Sequence, residues 1–348
     1  KYMKRKLIDY LKNNVSKQSY DYIVNFLSGP GYGFDINTLS VGHFFHFIEL
    51  CFNEGSKWND WKTLNGPIDE AWFKPWYNYL KNKGVKIHLN SELKKINYTE
   101  NKINSLEIKI NNDLKKIYGD DYILSLGPSS LLKVLFSSKL KDMGMKYLKF
   151  DTVNNQVSFR IGLKKKVNFK KNYGFILLDS PYNITFNSCS DHWKDYDSFG
   201  QNGEIKTLIS GTLVRTYQKG SLYNKTALNL TEKELLEEIV HQIFSSKQLI
   251  NFLKEENNGY ILDKGDIIYK SIFEDWYERK NRMRVKNKKW INTINNEEHR
   301  IDGKTKFDNL FIGGGHIKTS TNIWLMEGAA ESGLIVTNYI LKKYKKKL

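Results

Sequence analysis

Toward the end of the chain the apolar pattern changes period within a few residues. In "FDNLFIGGGHIKTSTNIWLMEGAAESGLIVTNYIL" (Phe307–Leu341), an apolar strand is followed by three glycines and a polar loop, and a helix is predicted from about Leu325. Upstream, residues 1–80 read as mostly helical, interrupted by the loop "SGPGYGFDIN" (Ser28–Asn37). From Gly84 the period becomes two: Val85, Ile87 and Leu89 alternate with polar residues, as do Ile103, Leu106 and Ile108, with "YTEN" (Tyr98–Asn101) as the turn between them. "DDYILSLGPSSLLKVL" predicts a short strand, a Gly-Pro stop and a helix starting at Ser129 or Ser130. "NNQVSFRIGL" and "IKTLISGTLV" read as strands. "LTEKELLEEIVHQIFSSKQLINFLKEE" reads as one amphipathic helix, opened by the capping box Thr231-x-x-Glu234. The strand-rich segments at 85–127 and 307–314 bracket a mixed region, so the chain is predicted to be α/β with two interleaved domains.

Composition changes this picture little. The chain has 348 residues, 40% of them hydrophobic, enough for a sizeable core. The net charge of +17 permits an acidic partner, but the lysines are spread evenly among Asn, Ile and Tyr, so no nucleic-acid partner is expected. The stretch "EDWYERKNRMRVKNKKW" (Glu274–Trp290) is the one place where basic and aromatic residues interleave as on a nucleic-acid surface. Two cysteines, Cys51 and Cys189, make no disulfide framework, and no signal peptide or run of about 18 apolar residues is visible. A cytoplasmic setting without a membrane span is the expectation, with peripheral membrane contact left open.

The glycines at 313–315 allow close approach of a ligand or of another backbone, and a helix start just beyond offers N–H groups to an anion. They do not form GxGxxG, because Lys318 stands three residues after Gly315. A glycine turn packing the last helix on a sheet explains them equally well. That helix carries an unusually small set, Gly328, Ala329, Ala330, Ser332 and Gly333, which suits close packing on a sheet or a flat cofactor.

These residues resemble the C-terminal flavin motif of the FAD-dependent amine oxidase and phytoene desaturase superfamily. Met326-Glu327-Gly328-Ala329 with Ser332-Gly333 is similar to its desaturase branch. "NGPIDEAWFKPWYNYLKNKGVKIHLNSELKKI" (Asn65–Ile96) and "GDDYILSLGP" (Gly119–Pro128) look like two further motifs of the superfamily in the same order. The resemblance implies an FAD/NAD(P)-binding Rossmann-like domain interleaved with a mixed sheet-and-helix substrate domain. Residues 1–83 would be a helical part of the substrate domain and 84–130 the ribbon and strand of the cofactor domain. Residues 131–300 would be the substrate domain and 301–348 the closing strand, loop and helix. It also implies a GxGxxG segment ahead of Lys1, since none is present in the chain.

Carried over by position, Gly314 and Gly315 would approach the FAD pyrophosphate or ribityl chain. Leu325 and Met326 would begin the helix facing the flavin, and Leu93 would touch adenine through its backbone. One departure is plain: the acid common after the glycine pair is Gly315 here. The implied activity is hydride transfer from an apolar or amine substrate to flavin, with the cofactor supplying the chemistry. Arg160 falls where amine oxidases carry a lysine near the flavin, which points to a desaturase-like or isomerase-like member; a strand-end arginine in an ion pair is the plainer reading. A non-redox flavoenzyme, a pseudoenzyme of this fold, and a basic nucleic-acid-binding or interaction protein are the alternatives.

Among other candidates, His43, His46 and Glu49 lie at i, i+3, i+6 on one helical face, where the intervening aromatics favour packing over a metal. His316 is the histidine nearest the expected cofactor, and a solvated loop position is its ordinary reading. Trp72, Phe73, Trp76, Tyr77 and Tyr79 read as core or as the lining of an apolar tunnel.

Overall fold

The computed structural model of the chain describes residues 2–27, 36–53, 64–140, 156–169, 174–193, 196 and 198–345. The loop reading of Ser28–Gly33 therefore falls outside the described residues. Helices α1 (Leu7–Asn14), α2 (Lys17–Leu27) and α3 (Val41–Asn53) open the chain. Leu7 and Leu11, one turn apart, bury one stripe of α1 against Val41 and Phe47 of α3, and Ile323 joins the same cluster from the far end of the sequence. Helix α4 (Lys74–Asn82) follows a π-helical turn at Asp69–Phe73. Its aromatic run does not become core: Trp76 and Tyr79 are exposed, as are Phe73 and Tyr77.

Strands β1 (Ser91–Thr99), β2 (Lys102–Ile110) and β3 (Asp113–Ile117) form an antiparallel ribbon. The expected turn joins β1 to β2, with Glu100 at φ 49. The expected strand at Val85–Leu89 does not form. Its alternation is genuine, but no described strand lies alongside to take its backbone hydrogen bonds, and the ladder starts only at Ser91. The short strand β4 (Tyr122–Leu124) leads to α5 (Pro128–Ser137), whose first residue is the proline itself, as suits a first helical position.

The middle of the chain builds a five-stranded antiparallel sheet from β5 (Val157–Leu163), β6 (Phe175–Ile176), β7 (Ile184–Ser188), β8 (Thr207–Leu213) and β9 (Ile267–Ile272), with α6 (Cys189–His192) as a single turn after β7. Strand order is β6-β7-β8-β5-β9. Val157, Phe159, Ile161 and Leu163 alternate onto one face, where α7 (Glu232–Ser245) and α8 (Lys247–Glu256) cover them and complete the largest core. The capping box forms: Glu234 N–H donates to Thr231 Oγ1 at 3.1 Å, and Thr231 N–H donates to Glu234 Oε2 at 2.9 Å. The single helix expected over this stretch is instead two. Ser246 adopts an extended conformation and its hydroxyl caps the next helix, accepting from Leu249 N–H at 3.2 Å while donating to Asp179 at 2.8 Å.

The basic stretch at 274–290 folds as the hairpin β10 (Trp276–Glu278) and β11 (Met283–Val285). Trp276 and Met283 enter the main core and Trp290 is buried elsewhere, so these aromatics hold the fold instead of offering a stacking platform. Strand β12 (Leu310–Ile312) then pairs in parallel with β4, placing Leu310 opposite Tyr122 and Ile312 opposite Leu124. Helix α9 (Met326–Lys343) closes the chain. The core around this pair draws on residues 96–140 and 307–317 together. No described helix is long and apolar enough to cross a membrane.

Candidate functional site

The glycine loop begins where β12 stops. Gly313 N–H continues the ladder to Leu124 O at 3.1 Å. Gly314 sits at φ +119, a conformation that side-chain-bearing residues avoid, and a Cβ there would lie 2.9 Å from His316 Cε1. Its N–H donates to Ser332 Oγ of α9 at 2.8 Å, and the Ser332 hydroxyl passes the bond on to Ala329 O at 2.6 Å. Gly328 allows equally close contact, since a Cβ there would stand 3.0 Å from Ile323 O. The small residues of α9 therefore divide. Gly328 and Ser332, one turn apart, face the loop together with Val336, whereas Ala329, Ala330 and Gly333 are exposed on other sides of the helix.

Helix α9 begins at Met326, with Leu325 as an N-cap in extended conformation that supplies no side-chain acceptor. Its first-turn N–H groups are left available to an anion. The 316–325 loop is held from several sides. Glu331 accepts from Ser320 N–H at 2.6 Å and from the Ser320 hydroxyl at 2.9 Å. Burial would raise the Glu331 carboxyl, but these bonds and those from Thr321 hold it below the usual carboxylate range. His46 of α3 bonds the Ser320 and Thr321 carbonyls, each at 2.9 Å.

Beneath the loop lies a buried hub that no sequence signal announced. The Arg300 guanidinium donates to Gly315 O at 3.1 Å, Ile317 O at 3.2 Å and Asn322 O at 2.8 Å. It also bonds Asn292 Oδ1 at 2.6 Å and Glu297 Oε2 at 3.1 Å, and it stacks 4.9 Å from the Trp290 ring. The Glu297 carboxylate is shared with His43 Nε2 at 2.9 Å, while His43 Nδ1 contacts Ser40 Oγ at 2.8 Å. Burial would push the Glu297 carboxyl up; His43 and Arg300 outweigh it and hold it low. His43 and His46 thus serve different partners, one a buried ion-pair network and the other the loop.

His316 does not take the solvated position expected of it. It is fully buried, with its ring 6.4 Å from Trp290 and 6.3 Å from Trp324, and burial, reinforced by the Arg300 charge, pushes its pKa down to about 4. It is a neutral packing group at pH 7.

The residues singled out from sequence are partly brought together. A Cβ on Gly315 would lie 3.7 Å from Leu325 O, and one on Gly314 would lie 3.9 Å from Leu126 O. Leu126 in turn lines a groove of about 320 Å³ with Leu93, Ser130, Lys133 and Val134. At its edge the β1 ladder slips register between Leu93 and Lys95, and Ser137 Oγ fills in by donating to Lys94 O at 2.8 Å. Gly315 lies beside Leu325 and is buried, Gly314 lies beside Leu126, and Leu93 shares the groove with Leu126. Met326 is exposed at the helix start.

Comparison with known proteins bears on the family and the fold. A family profile described as flavin containing amine oxidoreductase matches residues 8–341. Among solved structures, an oxidoreductase from Methanosarcina mazei is similar over 96% of this chain and 68% of its own, with TM-score 0.55 and 14% identity. Cyclohexylamine oxidase from Brevibacterium oxydans is similar over 99% of this chain and 69% of its own, with TM-score 0.50 and 8% identity. At such identities the likeness is one of fold. A search of curated proteins finds no match. The family match spans nearly the whole chain, from α1 to α9, and on it the chain belongs to the flavin-containing amine oxidoreductases.

Proposed function

We propose that the chain is an FAD-dependent oxidoreductase that takes a hydride from an amine or apolar substrate. The observation that carries this reading is the glycine loop packed beside the start of α9, which has no side-chain cap and suits the anionic part of a cofactor. The α9 N-terminus would receive a phosphate, and Gly315 would let the cofactor lie close to the loop backbone. Gly314 has its N–H committed to Ser332, so it would contribute close approach rather than a donor. Leu93 and Leu126 would flank the adenine in their groove. Leu325, half-buried against the first three helices, would fix the helix start, and Met326 would stand at the exposed end facing the cofactor. Bound there, FAD supplies the two-electron acceptor chemistry. The protein's part is to bind and orient it, with Arg300 holding the loop carbonyls turned inward.

Titrating the purified chain with FAD, followed by the flavin absorbance bands and by tryptophan quenching, tests the reading. Saturable uptake is expected, weakened in Gly314→Val, whose backbone cannot keep φ +119 without strain. A chain that takes up no FAD under native conditions refutes it.

A further inference from the structure

Of the 55 lysines and arginines only seven are arginines, yet three of those, Arg279, Arg282 and Arg284, fall within six residues. Seven of the eleven residues from 279 to 289 are cations, and none is an acid. The lysines of the chain are spread evenly; the arginines are not. In the hairpin β10–β11, Lys280 and Asn281, at φ 53 and 57, make the two-residue turn. Arg279 and Arg282 exchange both backbone hydrogen bonds across it, at 2.9 and 3.3 Å, so they stand directly opposite one another. Tyr277 pairs with Arg284, and Trp276 with Val285. Cross-strand partners share a face, and faces alternate along a strand. Trp276, Met283 and Val285 turn toward the main core. Arg279, Arg282, Arg284 and Tyr277 therefore line the outer face, and all four are exposed. Lys286, whose N–H bonds Asp275 O at 2.8 Å, extends that face by one rung.

This arrangement works against the stability of the hairpin. Like charges directly opposite on a ribbon repel, and Lys280 holds a backbone conformation that asparagine or glycine adopts more readily. Among the described residues none of the seven cations makes an ion pair. The nearby acids are engaged elsewhere or lie outside the hairpin. Glu278 accepts from Glu232 N–H at 2.9 Å at the start of α7, Asp275 accepts from Asn287 at 3.3 Å, and Glu274 precedes β10. A polyanion from outside the chain is what would relieve the repulsion. Guanidinium forks match phosphate oxygens two at a time. Tyr277 sets an exposed ring among three guanidiniums, a surface on which a base can stack. A lipid surface fits less well, because docking there needs buried apolar area and Tyr277 is the one large apolar group on the outer face of the ribbon. An acidic peptide would satisfy the guanidiniums and leave the ring unused.

We propose that the outer face of the β10–β11 hairpin binds single-stranded nucleic acid, its arginines on phosphates and Tyr277 on a base, without reading sequence. Binding there does not depend on the flavin reading.

Fluorescence anisotropy of the full chain with labelled oligothymidylate, taken through a salt series, tests this. Phosphate contacts from Arg279, Lys280, Arg282, Arg284 and Lys286 predict that log K falls with log salt at a slope of about −3.5, at about −0.7 per contact on a single strand. The triple variant Arg279→Gln, Arg282→Gln, Arg284→Gln should flatten that slope by about 2 and weaken binding about 100-fold at about 0.1 M salt. Tyr277→Ala should weaken binding about 10-fold at unchanged slope, because stacking releases no counterions. A matched triple, Lys102→Gln, Lys115→Gln, Lys116→Gln, takes the same charge from exposed positions of the β1–β3 ribbon and should change affinity little. All the substituted side chains are exposed, so each variant is expected to fold, with circular dichroism as the check. Equal losses in the two triples would reveal only the general field of a chain with net charge +17, and would overturn the assignment. It is overturned as well if Tyr277→Ala binds as the unaltered chain does, or if polyglutamate competes as strongly as unlabelled oligothymidylate. Uptake onto phosphatidylserine vesicles that needs the hairpin arginines, without oligonucleotide binding, overturns it in favour of a lipid surface.

Discussion

Arg300→Met removes the buried guanidinium while keeping an apolar stem under Trp290. Five oxygen acceptors lose their donor: the Glu297 carboxylate, Asn292 Oδ1 and the carbonyls of Gly315, Ile317 and Asn322. Breaking a buried ion pair from one side costs about 3–5 kcal/mol. Glu297 keeps its 2.9 Å bond to His43, which draws the figure toward the lower end. The stranded carbonyls draw it up again, at about 1–3 kcal/mol for each that stays dry. The expected loss is therefore about 4 kcal/mol. Urea unfolding followed by tryptophan fluorescence measures it, and a lowered midpoint at unchanged slope is the expected signature. Arg300→Lys should recover less than half, since one ammonium cannot reach Glu297 and three spread carbonyls together. An Arg300→Met protein within about 1 kcal/mol of the unaltered chain would refute the hub as the anchor of the glycine loop, by the scale just used.

Four further outcomes follow from the same region. His316 has a folded-state pKa of about 4 against an ordinary 6.5, so the unfolded chain binds more protons between those values. Its contribution is full above pH 6.5 and is lost as the pH falls toward 4, amounting to about 3 kcal/mol; His316→Leu should flatten that part of a stability–pH curve, and an unchanged slope would rule the assignment out. Glu297, held low, loses stability in the same direction but further into the acid range. Gly328→Leu should destabilise by about 1–3 kcal/mol through overpacking against the Ile323 carbonyl. Gly333→Ala, which meets nothing within 4 Å, should stabilise by about 0.5–1 kcal/mol, and thermal unfolding of the pair checks both signs.

Local signals carried much of this fold. The capping box at Thr231, the β1–β2 turn, the paired strands at 157–163 and 207–213, and the closing strand–glycine–helix all follow from periodicity and caps that act within a few residues. The failures have a common cause. Val85–Leu89 alternate as a strand should, yet a strand exists only with a neighbour, and pairing is a property of the fold. Ser246 sits inside an apolar helical period, but its hydroxyl prefers to cap, and Asp179, 67 residues away, fixes the break. The small residues of α9 are conspicuous in sequence, while the division between buried and exposed members needed the helix phase. Arg300 left no trace, because its partners at 292, 297, 315, 317 and 322 are backbone carbonyls and ordinary polar residues.

The absence of an acid at Gly315 acquires a physical reason from that hub. A Cβ at 315 would stand 3.4 Å from Trp324 Cε3, ordinary contact for one carbon, so a longer side chain has to move the indole or turn past it. Trp324 in turn closes one side of His316, with Trp290 on the other and Arg300 over the Trp290 ring. Tilted rings thus pack together beside the loop. The single carboxylate that neutralises Arg300 comes instead from Glu297, three residues earlier in sequence and already shared with His43. An acid at 315 would bring a second carboxylate toward a guanidinium whose donors are already used, at the cost of burying unpaired charge. The glycine is therefore consistent with the rest of the loop: carbonyls held from below by arginine, a helix start without a side-chain cap, and an indole that leaves room for one carbon at most.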